Sequence, residues 1–467
     1  MMFERVAENE LRKWHGGANR KPLVIRGARQ VGKSTLVREF ARRSGLQLFE
    51  VNLERHSRLD AVFATLDVAN ILRELQFTCG KGPLDNGLLF LDELQAAPNA
   101  LKALRYLHEE RPDLAVAAAG SLLEFTLNEA DFSMPVGRIR YLYLQPLGFD
   151  EFLAALGMAD LADLTAKWNP PEPFPEAAHL RLLGQLRDFL LVGGMPEAVA
   201  LFAAGGGLDA CAESHHSILD TYRDDFGKYA GKVPVARLRR LLDYLPLAVG
   251  EKFSYARALP DEPAKTARQA LELLTTAGLV NLVRHSDANG LPLGAEADPR
   301  VFKPLFLDVG LLNAACGVRD IPLDTMRDQR FVNEGRLAEQ FAGQQLLAGL
   351  GRDQRPVLHY WLREGRKTNA EIDFLVEAAP AIIPVEVKAG ASGTMKSLHQ
   401  FMSLRKPPFA MRLDLNPPSL SRVAVKAPTP DGMKDVEYTL CSLPLYLACQ
   451  ARRIAAAAQA TPLVMAR

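Results

Sequence analysis

Through the first 120 residues, short and strongly apolar runs alternate with stretches whose apolar positions recur every three to four residues. Residues 22–26, 48–52, 87–91 and 114–119 read as strands, and residues 33–43, the stretch up to about 78, and 101–111 as helices. Strand and helix alternating at this spacing imply a parallel sheet with helices on both faces. Pro170, Pro171, Pro173 and Pro175 then break the pattern into a loop, and a helical region follows. LVGGMPEAV (191–199) is a turn within it, and Gly205, Gly206 and Gly207 form a flexible joint. From residue 235 the order changes: a helix at 237–247, a short strand or turn at 253–255, a helix at 265–277, then 279–284 able to pair with 301–307. Helices followed by a two-stranded hairpin are the order of a winged helix. From about residue 333 come a helix through 346, three strands ending at Val385-Glu-Val-Lys388, another helix and mixed sequence.

The chemistry begins in the first turn. Gly27-Ala28-Arg29-Gln30-Val31-Gly32-Lys33-Ser34, followed by Thr35, fits G-x-x-x-x-G-K-[ST] between a strand and a helix. The glycines let successive backbone N–H groups curl towards phosphates, and the positive end of the following helix adds to the pull. Lys33 supplies a charge to the terminal phosphates and the Ser34 hydroxyl a ligand to Mg²⁺. In Leu88-Leu-Phe-Leu-Asp92-Glu93, four apolar residues bury a strand whose end presents two acids: Asp92 to hold Mg²⁺ through water, Glu93 to polarise an attacking water. Ser121, after the fourth strand, is a candidate for the γ-phosphate or the water. The plainer alternatives are an acidic pair capping a helix and a strand-ending turn.

A second constellation lies near the C-terminus. Asp373 and Glu386 fall near the ends of two apolar strands joined by a short turn, with Lys388 on the same face as Glu386. Two acids and a lysine on one face suit metal-dependent phosphodiester cleavage, with Mg²⁺ or Mn²⁺ on the acids and the lysine near the water. A salt-bridged sheet face without catalysis is the other reading.

PLVIRGARQVGKST, LLFLDELQ, AAAGSLLEF, VGRIRYLYLQPLGFDEFL and LVGGMPEAV together resemble prokaryotic AAA+ ATPases whose ATPase domain precedes a C-terminal domain of unknown function. The resemblance implies an α/β chain with an AAA+ P-loop NTPase core at 1–150 and a helical lid at 151–230. A winged helix at 231–325 and a restriction-endonuclease-like α/β domain at 326–467 would follow. It also implies ATP at a subunit interface, a homo-oligomer or ring, and an arginine finger, with Arg138 first and Arg140 second. The D…ExK pattern resembles the restriction-endonuclease-like fold, where an acid on the preceding helix completes the metal shell; Glu339 stands at that place, and Gln400 on the following helix is a further candidate.

Composition adds limits rather than direction. The 467 residues are 48% hydrophobic and 24% charged, as in ordinary globular protein. With 56 Lys and Arg against 55 Asp and Glu, the net charge of +1 makes no global case for nucleic acid or membrane. The five scattered cysteines suit neither a disulfide framework nor a zinc site. Lacking a leader-like core or a long apolar run, the chain is expected to be cytoplasmic and off the membrane. Two functions remain: an oligomeric ATPase acting on DNA, with 265–277 as a groove-reading helix and a nuclease-like domain, or a nucleotide-dependent switch whose C-terminal half binds protein partners.

Overall fold

The computed structural model describes residues 3–80, 82, 84, 87–127, 137–229, 231, 233–317, 334–364, 369–378, 380–389, 395–429 and 432–460. The expected boundary at 325/326, Asn333, and Val136 of the VGRIR motif lie outside them. The chain divides into two compact units, one of residues 1–146, 276–279 and 351–356, the other of the remainder.

The first unit holds strands β1 (Leu23–Arg26), β2 (Gln47–Asn52), β3 (Gly87–Asp92), β4 (Ala115–Ala119) and β5 (Arg140–Tyr143) in the order β2-β3-β4-β1-β5. All neighbours are parallel. Leu88, Leu89, Phe90 and Leu91 are each 0% exposed, because a sheet covered on both faces buries every residue of an inner strand. Burying each such side chain stabilises the fold by about 1.5–3 kcal/mol. The alanines of β4 have little intrinsic strand preference, yet β4 lies between β3 and β1; packing decides its conformation. β5 is a fifth strand beyond the four read from apolar runs, and its outer positions are partly exposed. The helical stretch before residue 78 is two helices, Leu59–Ala64 and Val68–Cys79, the second capped by Asp67. With every strand parallel, all loops that follow strand C-termini gather at one edge, where ligands of open α/β sheets bind.

The second unit begins with helices, among them Phe149–Ala155, Glu176–Val192, Pro196–Ala203 and Gly207–Tyr229. The glycine run at 205–207 leads straight into the last of these. The unit's sheet has eight strands: β6 (Val280–Ser286), β7 (Ala297–Phe306), β8 (His359–Arg363), β9 (Ala370–Ala378), β10 (Ala381–Val387), β11 (Phe409–Asp414), β12 (Ser419–Thr429) and β13 (Gly432–Pro444). Their order is β12-β13-β11-β10-β9-β8-β6-β7. The hairpin β6–β7 does follow helices Val235–Ala248 and Ala264–Thr276. It is nevertheless an edge of the C-terminal sheet, joined to it through β6 and β8.

LVGGMP has a packing explanation. The carboxylate of Asp308, 0% exposed, accepts from Gly194 N (2.6 Å), Gln344 Nε2 (2.6 Å), and Gly310 N and Leu311 N at the start of helix Val309–Ala315. A Cβ on Gly193, which has φ +69°, would run into that carboxylate. The glycine pair therefore admits a buried anion whose charge four donors offset.

Candidate functional site

The phosphate loop starts where β1 ends. Gly27 takes φ +148°, and a Cβ there would strike the Leu144 carbonyl, so only glycine fits. Gln30 and Gly32 also have positive φ, and Gly32 is the N-cap of helix Lys33–Arg43. Ala28 and Val31 are buried, Thr35 lies in the first turn of the helix, and Arg29 lies on the loop. The first-turn N–H groups of this helix have no intrahelical acceptors, so their dipoles face the loop's concavity. Residues 276–279 close in on the other side: a Cβ on Gly278 would sit 3.0 Å from Ala28 Cβ.

Lys33 is 7% exposed, and its Nζ donates to the carbonyls of Gly27 (3.0 Å) and Ala28 (2.7 Å). Burial lowers its pKa to about 8, against the opposing pull of Glu93 and Asp92. It is a cation held by neutral carbonyls. Ser34 Oγ donates to Asp92 Oδ1 at 3.1 Å, bringing together the two groups that sequence places on Mg²⁺. Burial raises the Asp92 carboxyl above its ordinary value, and the Ser34 bond lowers it in part. A hydroxyl and a carboxylate are hard oxygen donors, and the pair fits Mg²⁺ with water in the remaining positions.

Glu93 sits at φ +53°, a backbone region that costs a non-glycine residue free energy and clusters at functional sites. Its Oε2 accepts from Gln95 Nε2 (2.6 Å) and from Ser121 Oγ (3.1 Å) and N (3.4 Å). Ser121 thus meets the acid that was expected to orient water. Sequence reading passed over Arg26 and Glu124, which form a bidentate ion pair beside the loop. Tyr141 and Tyr143 flank the guanidinium at 4.9 and 5.1 Å.

Arg138 and Arg140 lie elsewhere. β5 runs parallel to β1 with Arg140 opposite Leu23, so both arginines occupy the end of the sheet away from the loop, about one strand length or ~13 Å off. Arg138 is half-exposed and donates to Glu109 (2.9 Å), and Arg140 pairs with Glu10 (3.5 Å). Neither reaches the phosphate loop of its own chain.

In the second unit, β9 carries Glu371 and Asp373, β10 carries Glu386 next to its last residue, Val387, and Lys388 follows. Glu339 projects from helix Glu334–Ala348. A residue absent from the sequence reading sits among them. Lys303 of β7, 1% exposed, places Nζ 2.7 Å from Glu339 Oε1, against the Glu371 carboxylate, and 3.8 Å from Asp373 Oδ1. Asp373 Oδ2 accepts from Val387 N (2.8 Å), and Lys388 Nζ donates to Glu386 Oε1 (2.6 Å). Burial pushes Glu339 up to about 8 and Glu386 up to about 7, while the lysines pull both down. For Lys303 the balance goes the other way: Glu339, Asp373 and Glu371 outweigh burial and raise it. Lys303 takes Glu339 Oε1 and the Glu371 carboxylate and stands 3.8 Å from Asp373 Oδ1, while Lys388 takes Glu386 Oε1; with ammonium groups already this close to the acids, the set does not fit Mg²⁺ or Mn²⁺. Among the described residues, no group of three or more His, Cys, Asp and Glu is arranged to hold a metal ion. Gln400, on helix Lys396–Arg405, is 2% exposed.

Two signals for Lys303 and Glu371 were present. A lysine inside the apolar run Val301-Phe-Lys-Pro-Leu-Phe306 requires a buried partner, and Glu371 is two residues from Asp373 on the same strand face.

Residues 19–153 match the AAA domain family. Residues 183–321 and 334–417 match two domains of unknown function, DUF8612 and DUF4143. No curated protein sequence matches. Among solved structures, the chain is similar to the Walker-type ATPase PABY2304 of Pyrococcus abyssi (14% identity, 67% of this chain and 96% of that one, TM-score 0.42). It is also similar to the Aeropyrum pernix ORC1 protein in complex with DNA (14% identity, 68% and 94%, TM-score 0.29). No helix among the described residues is long and apolar enough to cross a membrane. Residues 19–153 are thus similar to an AAA domain, and the loop at 27–34 has the turn geometry of a P-loop.

Proposed function

We propose that the protein is a Mg²⁺-dependent ATP hydrolase that works as a homo-oligomer on DNA. The observation that carries this reading is the arrangement at one sheet edge: a loop of inward-turned backbone, the Lys33 ammonium, and Ser34 3.1 Å from Asp92. In this reading Gly27 to Thr35 hold the phosphates, Ser34 and Asp92 hold the Mg²⁺, and that ion offsets phosphate charge when bound. Lys33 leaves its two carbonyls for the terminal phosphates. Glu93 takes the role of orienting and deprotonating the attacking water, which requires it to give up the Ser121 and Gln95 hydrogen bonds. Arg138, remote from its own loop, serves the site of a neighbouring copy. DNA contact falls to helix Ala264–Thr276 and the hairpin after it, the winged-helix part of the proposed four-part organisation; Thr266, Arg268 and Gln269 are the residues to test.

ATP turnover by wild type, Lys33→Ala and Glu93→Gln, with and without duplex DNA, tests the reading. Turnover lost in both variants and raised by DNA supports it; turnover surviving Lys33→Ala overturns it. An equimolar mixture of Arg138→Ala and Lys33→Ala chains should recover activity where neither does alone, because the mixture pairs an intact loop with an intact finger. A second reading, a nucleotide-dependent switch without DNA cleavage, is favoured by the ion pairs that Lys303 makes with the C-terminal acids.

A further inference from the structure

The C-terminal carboxylates present a charge problem that the sequence motif does not reveal. Glu339, Glu371, Asp373 and Glu386 meet on one side of the eight-stranded sheet, and Glu339, Asp373 and Glu386 are all at least four-fifths shielded from water. Acids so placed need a cation or protons. Lys388 serves Glu386, whose second oxygen is buried without a hydrogen-bond partner among the described residues. The other three converge on Lys303. This lysine comes from outside the D…ExK segment: β7 is the far edge of the sheet, and its register with β6 pairs Lys303 with Val283. The Tyr360 ring lies 5.2 Å from the ammonium and closes another side. The position is therefore enclosed, charged and filled by a group of the chain itself.

We propose that the Lys303 ammonium is the resident cation of this cluster, standing where a restriction-endonuclease-like site would hold Mg²⁺ or Mn²⁺, so that the sheet takes up no divalent ion while β7 is in place. The ammonium bonds Glu339 and Glu371 directly and stands 3.8 Å from Asp373 Oδ1, so a divalent ion on Asp373 at about 2.0–2.3 Å would place two cations in one small buried space, where they repel. The consequence is that the acids tie the β6–β7 edge to the rest of the sheet and do not cut DNA. This inference does not rest on ATP hydrolysis at the phosphate loop, and ATP turnover measured on each variant keeps the two separate.

The test is titration of Mn²⁺ into the full chain without nucleotide, reading the paramagnetic resonance signal of the free ion. Wild type should leave the C-terminal acids without Mn²⁺, so Asp373→Asn should not alter its titration. Lys303→Met should gain a bound ion, and Lys303→Met with Asp373→Asn should lose it again. Because removing the ammonium alone can unfold the sheet, Lys303→Met with Glu371→Gln is run beside it, which deletes one acid together with the cation. Wild-type binding that Asp373→Asn abolishes overturns the proposal, as does a folded Lys303 variant that gains no ion. If neither variant folds, the wild-type comparison decides: an Mg²⁺-dependent rise in Tm that Asp373→Asn removes overturns the proposal, and the same Tm response in both supports it.

Discussion

Two buried lysines sit at the centres of the two polar clusters, and their surroundings send them in opposite directions. Lys33 is 7% exposed and Lys303 1%. Around Lys33 the nearest acceptors are backbone carbonyls, while Asp92 is engaged with Ser34 and Glu93 with Ser121 and Gln95. Glu93 and Asp92 offset its charge only in part, and burial lowers its pKa to about 8. Around Lys303 three carboxylates converge, and its pKa rises despite deeper burial. A poorly compensated buried cation favours an incoming anion, whereas a fully paired one favours nothing but its own partners. A motif lysine is informative only with its counter-ions in view.

The comparison can be broken most sharply at the chemistry. Glu93→Gln should cut kcat for ATP by about 10²–10⁴-fold with ATP binding retained, measured by phosphate release and by fluorescent-nucleotide titration; Asp373→Ala should leave kcat near wild type. A comparable loss in Asp373→Ala would erase the distinction between the clusters.

Stability gives the next largest contrast. Lys303→Met leaves the acids of a compensated buried cluster without their cation and should cost about 3–5 kcal/mol in denaturant unfolding. Lys33→Met removes a poorly compensated charge, and its stability should stay within about 1 kcal/mol of wild type or rise. Equal losses at the two lysines would refute the account of their surroundings.

The pH dependence of ATP binding follows from Lys33. Phosphate beside the ammonium raises its pKa above the ligand-free value of about 8. Below pH 8 the group is already charged and affinity is flat. Above it, binding must take up a proton, so affinity should weaken by up to about tenfold per pH unit. The ligand-free fold has the converse slope: between about 8 and 10.5 the unfolded chain holds more protons at this lysine, and stability rises with pH. Isothermal titration in buffers of different ionisation heat would detect the proton.

The smallest effect tests the far side of the loop. Gly278→Ala places a methyl against Ala28 at a left-handed backbone position, and ATP affinity should fall severalfold, with the loop's own residues unchanged.

The conformation of the G-x-x-x-x-G-K-S turn was legible in sequence because it is local. Eight consecutive residues, a strand before and a helix after contain the turn, the dipole and the charge, and Gly27, Gly32, Lys33 and Ser34 lie where that pattern puts them. β5 was harder to read: Arg140-Tyr-Leu-Tyr143 is a short outer strand with one buried residue, too few for an apolar run. The strands β12 and β13 read as mixed sequence because exposed residues dominate β12 and the first part of β13.

What the sequence determined by itself is whatever a few adjacent residues suffice to build: the alternating α/β pattern, the G-x-x-x-x-G-K-S turn, the apolar strand ending in Asp92 and Glu93. Tertiary structure alone decided which distant charges meet. Lys303 lies 36 residues from Glu339 and further still from Asp373, and strand order brings them together. The Asp308 carboxylate reaches Gly194 across 114 residues in the same way. Hydrogen bonding along a strand is read locally, but the free energy of a buried charge depends on every group packed around it, and those groups are chosen by the fold.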